Sequence, residues 1–353
     1  MEFGITLFPD VGPEEKAPAD YFRESFALVE RAEALGYTHV RSIEHHFTGY
    51  GGYSPSSTVM LAGLSGRTKT MKLITGAVIP AFNNPLKVAG ELGMLDAMSN
   101  GRLMVGFGRA FLPHEFARFG VSRDESHERF REGMDQIVRL LTEENVTSHG
   151  RFHTIENTTT LPRPTQKSLQ FFIAANSTES SYEYAGEQGY YIMAIPMVAE
   201  QLRSHLDIYH RAWKKAGHPG RGKVFLAFHM FVDPDSKRAR RIAGAEVESY
   251  FKSIVQATTG LENVSKDYPG YEKQREMFAK FNIDTLIQNC AAWVGSPAEV
   301  CSQIERYSEA CGGFDFASMQ VNFHVLPFEE AMRSIELFAA EVMPRFRTAP
   351  VPA

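Results

Sequence analysis

Short apolar runs alternate with longer amphipathic segments for most of this chain's length, and that rhythm limits the folds open to it. FGITLF (3–8) reads as a buried strand, and YFRESFALVERAEALG places Phe22, Phe26, Val29 and Leu35 at helical spacing before Gly36 stops the helix. The same pairing recurs in THVRSIE with a helix near 56–64, in MKLITGAVI with a helix over 85–98, and in RLMVGFG with a helix near 125–141. After an apparent hairpin in HGRFHTIENTTTL come FFIAA, YYIMAI, VFLAFHMFV and FASMQVNF, each followed by a helical pattern. About eight strand-plus-helix units with apolar strands imply parallel strands buried on both faces. The expectation is an α/β chain folded as one (β/α)8 TIM barrel domain over 1–353, with an insertion before the last strands. The polar, aromatic stretch 258–282 breaks the rhythm and reads as that insertion, a surface excursion or lid. A doubly wound sheet competes, but Gly106-Phe107-Gly108-Arg109-Ala110-Phe111 lacks the third glycine of a dinucleotide fingerprint.

Composition narrows the chemistry. A net charge of -5 without a basic run gives no electrostatic footprint for nucleic acid or an acidic membrane. The N-terminus MEFGITLFPD has neither a basic nor a long apolar leader segment, and no window is long enough to span a bilayer, so a cytoplasmic protein is expected. The three cysteines, Cys290, Cys301 and Cys311, show no C-x-x-C spacing and read as reduced buried thiols rather than disulfides or a zinc site. Small-molecule chemistry is left as the default.

In a parallel barrel the reactive groups lie just beyond the carboxyl ends of the strands. Glu44, His45 and His46 follow the second strand. Neighbouring residues on a strand point to opposite sides, so this histidine pair is poorly arranged to hold one metal ion, and no metal is expected. One imidazole can face the mouth as a general acid or base; the alternative is a hydrogen-bonded pair used in packing. Gly76-Ala77 and Gly106 to Gly108 end two adjacent strands and leave room for a flat ring, while Arg109 offers a planar fork to a phosphate; tight packing and a surface arginine are the plainer account. Asn176-Ser177-Thr178-Glu179-Ser180-Ser181 precedes a helix, where free N–H groups and hydroxyls suit an anion, although an ordinary helix cap explains some of them. His324 ends the last strand within reach of the mouth, whereas His149, His153, His205 and His210 sit where ligation is not expected.

These residues resemble the bacterial luciferase-like, flavin-dependent monooxygenases. EHHF and its Tyr/Gly/Pro loop, NPLKVAGELGMLDAMSNGRLMVGFGRA, the Ala-Asn-Ser-Thr-Glu-Ser-Ser loop, VGSPAEVCSQI and FAAEVMP match motifs of that family in order, nearly end to end. EHHF points toward the catalytic alpha chain of luciferase. The resemblance implies a (β/α)8 barrel, often dimeric, that takes reduced FMN from a separate flavin reductase. Dioxygen then adds to the flavin to give a peroxyflavin that oxygenates an aldehyde or a biosynthetic intermediate. It implies that His45 is catalytic, that Arg109, Thr178 and Ser181 with Ser177 beside them hold the FMN phosphate, and that Gly76 and Ala77 cup the ring through an unusual peptide. Gly108 and Ala194 fall beside the ring, and His46, Tyr53, Glu115 and Ile195 are candidates for the substrate pocket.

The departures bear on substrate rather than cofactor. Gly108 replaces a reactive cysteine of the luciferase alpha chains, Ala194-Ile195 replaces Ser-Trp, and Ser177 replaces an acidic residue of the phosphate loop. Asn83, Asn84, His114 and Glu115 suggest a more polar pocket, so light emission and a long-chain aldehyde do not follow. The competing functions are a deazaflavin-dependent oxidoreductase, a non-catalytic flavin-binding subunit and a metal-dependent hydrolase. The first needs more cations at the mouth than Arg109, the second is opposed by His45, and the third is checked by metal analysis.

Overall fold

The computed structural model describes residues 1–346 other than Ser177, Met197, Val264 and Pro269, and for Glu272 the backbone alone. Strands and helices alternate from the start: β1 (Glu2–Leu7), α1 (Pro18–Ala34), β2 (His39–Ser42), α2 (Ser57–Ser65), β3 (Lys72–Thr75), α3 (Pro85–Met98) and β4 (Leu103–Phe107). Next come α4 (Pro113–Phe119), α5 (Ser126–Thr142), β5 (Val146–His149), β6 (Thr154–Thr158), β7 (Phe171–Ala174), α6 (Glu179–Gln188), β8 (Tyr191–Ala194) and α7 (Ala199–Lys215). The chain continues through β9 (Val224–Val232), α8 (Ser236–Ala257), α9 (Gln274–Phe278), α10 (Ile283–Gln288), β10 (Ala292–Gly295), α11 (Pro297–Cys311), β11 (Phe316–Gln320) and α12 (Phe328–Leu337).

Eight parallel strands close on themselves in the order β1-β2-β3-β4-β7-β8-β9-β11, and β11 returns to β1. The expected (β/α)8 barrel is therefore present. Long β9 makes the closure: Val224–Leu226 pairs with β8 and Phe225–His229 with β11, while His229–Val232 carries the ninth parallel strand, β10. β5 and β6 form the antiparallel hairpin outside the barrel, in keeping with the sequence.

Local chemistry explains the boundaries. Asn84 caps α3 by accepting the Leu86 amide, with Pro85 in the first turn, where its missing N–H costs nothing. Ser296 and Glu299 form a reciprocal capping box at the start of α11, and Gly312, at φ 87°, ends it. Several short elements, α4 and β10 among them, have no counterpart in the sequence expectations. α4 is a single PHEFARF segment stopped by left-handed Gly120, and β10 is only AWVG, both too brief to show a period.

Two apolar layers hold the barrel. Between strands and helices lies the main core, and inside the barrel Ile74, Met104, Phe172, Met193, Phe225 and Phe316 form a plug. Glycine permits one close approach within it, since a Cβ on Gly4 would stand 2.3 Å from the His39 ring. A third cluster joins Phe8, Ile43, Tyr50 and Leu112 of the mouth to Ile254, Ala257 and Phe278. The segment 258–282, mostly turns with a 3-10 turn at Tyr271–Lys273 and α9, thus packs over the carboxyl end of the barrel.

Candidate active site

The chain leaves β2 into Ile43–His46, where the two imidazoles diverge. His45 is held by its own amide, which donates to the Ser54 carbonyl at 3.1 Å. Gly51, at φ 80°, passes so close that a Cβ there would lie 2.6 Å from the Cβ of His45. Phe8, Tyr50 and Phe111 surround the ring at centroid distances of 5.8, 5.3 and 6.1 Å. Its Nδ1 lies 3.1 Å from Oε1 of Glu115, and the same oxygen accepts the His46 amide at 2.8 Å. Burial works to raise the Glu115 carboxyl, but His45, the His46 amide and the His46 ring outweigh it and hold the group below its ordinary value. A carboxylate at Nδ1 fixes the N–H there and leaves Nε2 for chemistry.

His46 turns to the helix side, packed with Phe47, Phe82 and Phe119 at 5.4, 6.3 and 4.8 Å. Its Nε2 is 3.6 Å from Glu44, whose Oε1 also accepts from Asn83 at 3.1 Å. Burial raises the Glu44 carboxyl despite these contacts. Tyr53 points elsewhere: its hydroxyl donates to the Lys16 carbonyl and its ring packs on Tyr21. Asn84 is engaged as the α3 cap, and His114 bridges the His46 and Ala257 carbonyls at 3.0 and 3.2 Å.

A flat ledge lies at the ends of adjacent strands. The Gly76–Ala77 peptide is cis. A Cβ on Gly108 would stand 3.0 Å from that of Ala77, 3.3 Å from Ile79 Cδ1 and 3.8 Å from the Cβ of Ala174. Ala174 is exposed although it ends an inward-facing strand, so the ledge opens onto free space rather than onto packed side chains. Ala194, expected beside the ring, instead turns away from the ledge: Met193 points into the barrel, so its neighbour at the end of β8 packs in the core between strands and helices, while Ile195 is 45% exposed.

Beyond the ledge, Thr178 precedes α6 without a side-chain cap bond, and the Ser181 amide turns back to the Thr178 carbonyl. Ser177 lies outside the described residues. Arg109 donates to the Asp267 carbonyl at 2.6 Å and lies 4.3 Å over the Tyr268 ring, while Tyr268 donates to the Ala110 carbonyl at 2.9 Å. The 258–282 segment is thereby tied to the β4 loop. Arg131 of α5 packs 3.6 Å over Tyr184 of α6, and burial, Arg131 and Arg109 all depress the His127 imidazole. Two guanidinium groups therefore lie near His127 beside α6.

At the opposite wall Asp10 is 2% exposed. Ser253 donates to its carboxylate, and His324 lies 2.9 Å from its carbonyl and 3.7 Å from the carboxylate. Burial raises Asp10 to about 6, against Ser253 and His324. Phe47, Ala110 and His324 have positive φ, an uncommon conformation for such residues, and all three follow barrel strands at this end.

The sequence matches the family of luciferase-like monooxygenases over residues 1–312. The chain belongs to that family.

Within the family, the chain is similar to the monooxygenase RslO1 from Streptomyces bottropensis: 38% identity, TM-score 0.89, covering 98% of this chain and 100% of that one. The oxygenase component of flavin-dependent trigonelline monooxygenase from Acinetobacter baylyi is 25% identical, over 99% of this chain and 97% of its own length. The oxygenating constituent of 3,6-diketocamphane monooxygenase from Pseudomonas putida, a type II Baeyer–Villiger monooxygenase solved with FMN, shares the fold at 20% identity and TM-score 0.82, covering 99% of each chain.

The luciferase-like barrel brings His45, Glu115, Gly76, Ala77 and Gly108 to its mouth, with Arg109 and Thr178 at the ends of neighbouring strands. The sequence expectations omitted Ala174, Arg131, Asp10, the Tyr50–Tyr250 hydroxyl pair at 3.1 Å and buried His229. His229 carried a readable signal, a lone histidine inside the apolar run VFLAFHMFV. Among the described residues no group of three or more His, Cys, Asp or Glu side chains is arranged to hold a metal, and no helix is long and apolar enough to cross a membrane.

Proposed function

We propose that this chain is the oxygenase of a two-component system that takes reduced FMN from a flavin reductase and uses dioxygen to oxygenate a small organic substrate. The ledge carries this reading: a Cβ on Gly108 would stand 3.0 Å from that of Ala77 and 3.8 Å from that of Ala174, and exposed Ala174 leaves open space above them. A planar isoalloxazine fits a surface of that kind, and larger side chains would fill it. The start of α6 with Thr178 and Ser181, together with Arg109, suits the phosphate. The FMN bound by the diketocamphane monooxygenase relative and the oxygenase role of the trigonelline relative support the same assignment.

Reduced FMN, when bound, supplies the electrons that activate dioxygen. His45 stands over the mouth with Nδ1 held by Glu115, so Nε2 takes and returns the proton of the substrate step. Phe8, Tyr50 and Phe111 shield that ring from bulk water. The 258–282 segment acts as a lid fastened through Arg109 and Tyr268. A second copy of the chain docks on α2 and α3, where Val59, Leu86, Met94 and Met98 are exposed.

His45→Ala tests the reading. Expected is unchanged FMN affinity with loss of substrate oxygenation when a flavin reductase is supplied; undiminished turnover removes His45 from catalysis.

A further inference from the structure

The interior of the barrel holds a cation for which the proposed flavin site has no evident use. Arg41 lies on β2, and strand alternation turns it inward with His39. Its guanidinium is 5.8 Å from the centre of the Phe225 ring across the barrel, and a Cβ on Gly76 would strike its Nε at 2.1 Å. One terminal nitrogen donates to the Gly76 carbonyl at 2.6 Å, while Nε is buried without a partner. Among the described residues no carboxylate forms an ion pair with it, and the titratable groups that face it are the Tyr50 and Tyr250 hydroxyls, both kept neutral by burial. Burial pushes the guanidinium down to about 10, so it remains charged at neutral pH.

The direction in which Arg41 is open follows from what seals the other side. His39, Phe172 and Phe225 are 0% exposed, Phe316 1% and Met193 2%, so the barrel beneath is closed. Arg41 itself is only partly buried, and the surface it retains faces the mouth. Tyr50, whose ring is 5.3 Å from His45, and Tyr250 border the same space. A cation held in such a setting without a counter-ion is costly, and an anionic ligand relieves that cost.

We propose that Arg41 is a specificity-determining residue that receives a carboxylate, phenolate or enolate oxygen of the organic substrate beside His45. This rests on the FMN-dependent reading for the reaction, but the recognition itself needs only Arg41 and the two tyrosines. The guanidinium fork suits such an oxygen better than a neutral group, and the Tyr50–Tyr250 pair, in which one hydroxyl donates to the other, leaves one O–H to donate at its edge.

The experiment uses 2-naphthoate and its neutral methyl ester as probes, titrated calorimetrically into FMN-saturated and FMN-free protein. Wild type, Arg41→Lys and Arg41→Met are compared, and FMN is titrated separately into each. Expected is tighter binding of naphthoate than of ester to wild type. In Arg41→Met naphthoate should weaken by about thirtyfold or more, with ester and FMN unchanged. Arg41→Lys keeps the charge and should fall between the two, which preserves the comparison if the methionine variant misfolds. Equal affinity for acid and ester in wild type overturns the proposal. So does a parallel loss of FMN and naphthoate affinity in the variants, which would assign Arg41 to the flavin. If FMN binds no variant and no wild type, the proposed function fails, while the titrations of FMN-free protein still decide the role of Arg41.

Discussion

Glu115 holds His45 by Nδ1 at 3.1 Å, and with the same carboxylate oxygen it takes the His46 amide at 2.8 Å. One buried group therefore sets both the orientation of the imidazole and the path of the loop that carries it. Glu115→Gln keeps the shape but removes the charge. Expected is a fall in kcat of roughly tenfold to a hundredfold, with KM and FMN affinity nearly unchanged. Equal losses in kcat and FMN binding would show that Glu115 acts through the fold rather than on His45.

Ala174 tests the ledge without disturbing the core, because it is exposed. Ala174→Leu is expected to lower FMN affinity by about a hundredfold through overfilling. Stability should stay within about 0.5 kcal/mol of wild type. Flavin fluorescence titration and thermal unfolding read the two quantities, and wild-type FMN affinity in this variant would place the ring elsewhere.

Asp10 gives the chain a pH-dependent stability. Its carboxyl is raised from 3.8 to about 6 by burial, so between those values the folded chain keeps a proton that the unfolded chain has released. Folding therefore loses stability as pH rises through this window, by about 3 kcal/mol in total. Asp10→Asn has no such loss and should gain stability relative to wild type between pH 4 and pH 7, as read by urea unfolding. Parallel stability curves for the two proteins would mean that Asp10 is not held in its protonated form.

The barrel was legible because its signals are periodic. Pro85–Met98 and Val224–Val232 fall where the sequence pattern puts them, one bounded by a proline and a cap, the other an unbroken apolar run. α4 was not legible, since seven residues cannot display a helical period. Without α4 the contact between Glu115 and His45, which are 70 residues apart, leaves no trace in the sequence. Arg41 was readable in principle: it alternates with His39 on a strand whose odd positions point inward, but its lack of a counter-ion appears only when the strands close. The loop before α6 stands out in the sequence by its hydroxyls, whereas Arg131 reaches α6 from a helix that sequence alone does not bring there.

In the proposed function the ledge binds reduced FMN and governs its reaction with dioxygen. Anaerobic titration of the protein with reduced FMN, followed by rapid mixing with oxygenated buffer, measures both. Expected are saturable binding and a time course of flavin oxidation that differs from that of free reduced FMN. Failure to bind, or oxidation identical with and without the protein, would contradict the proposed function.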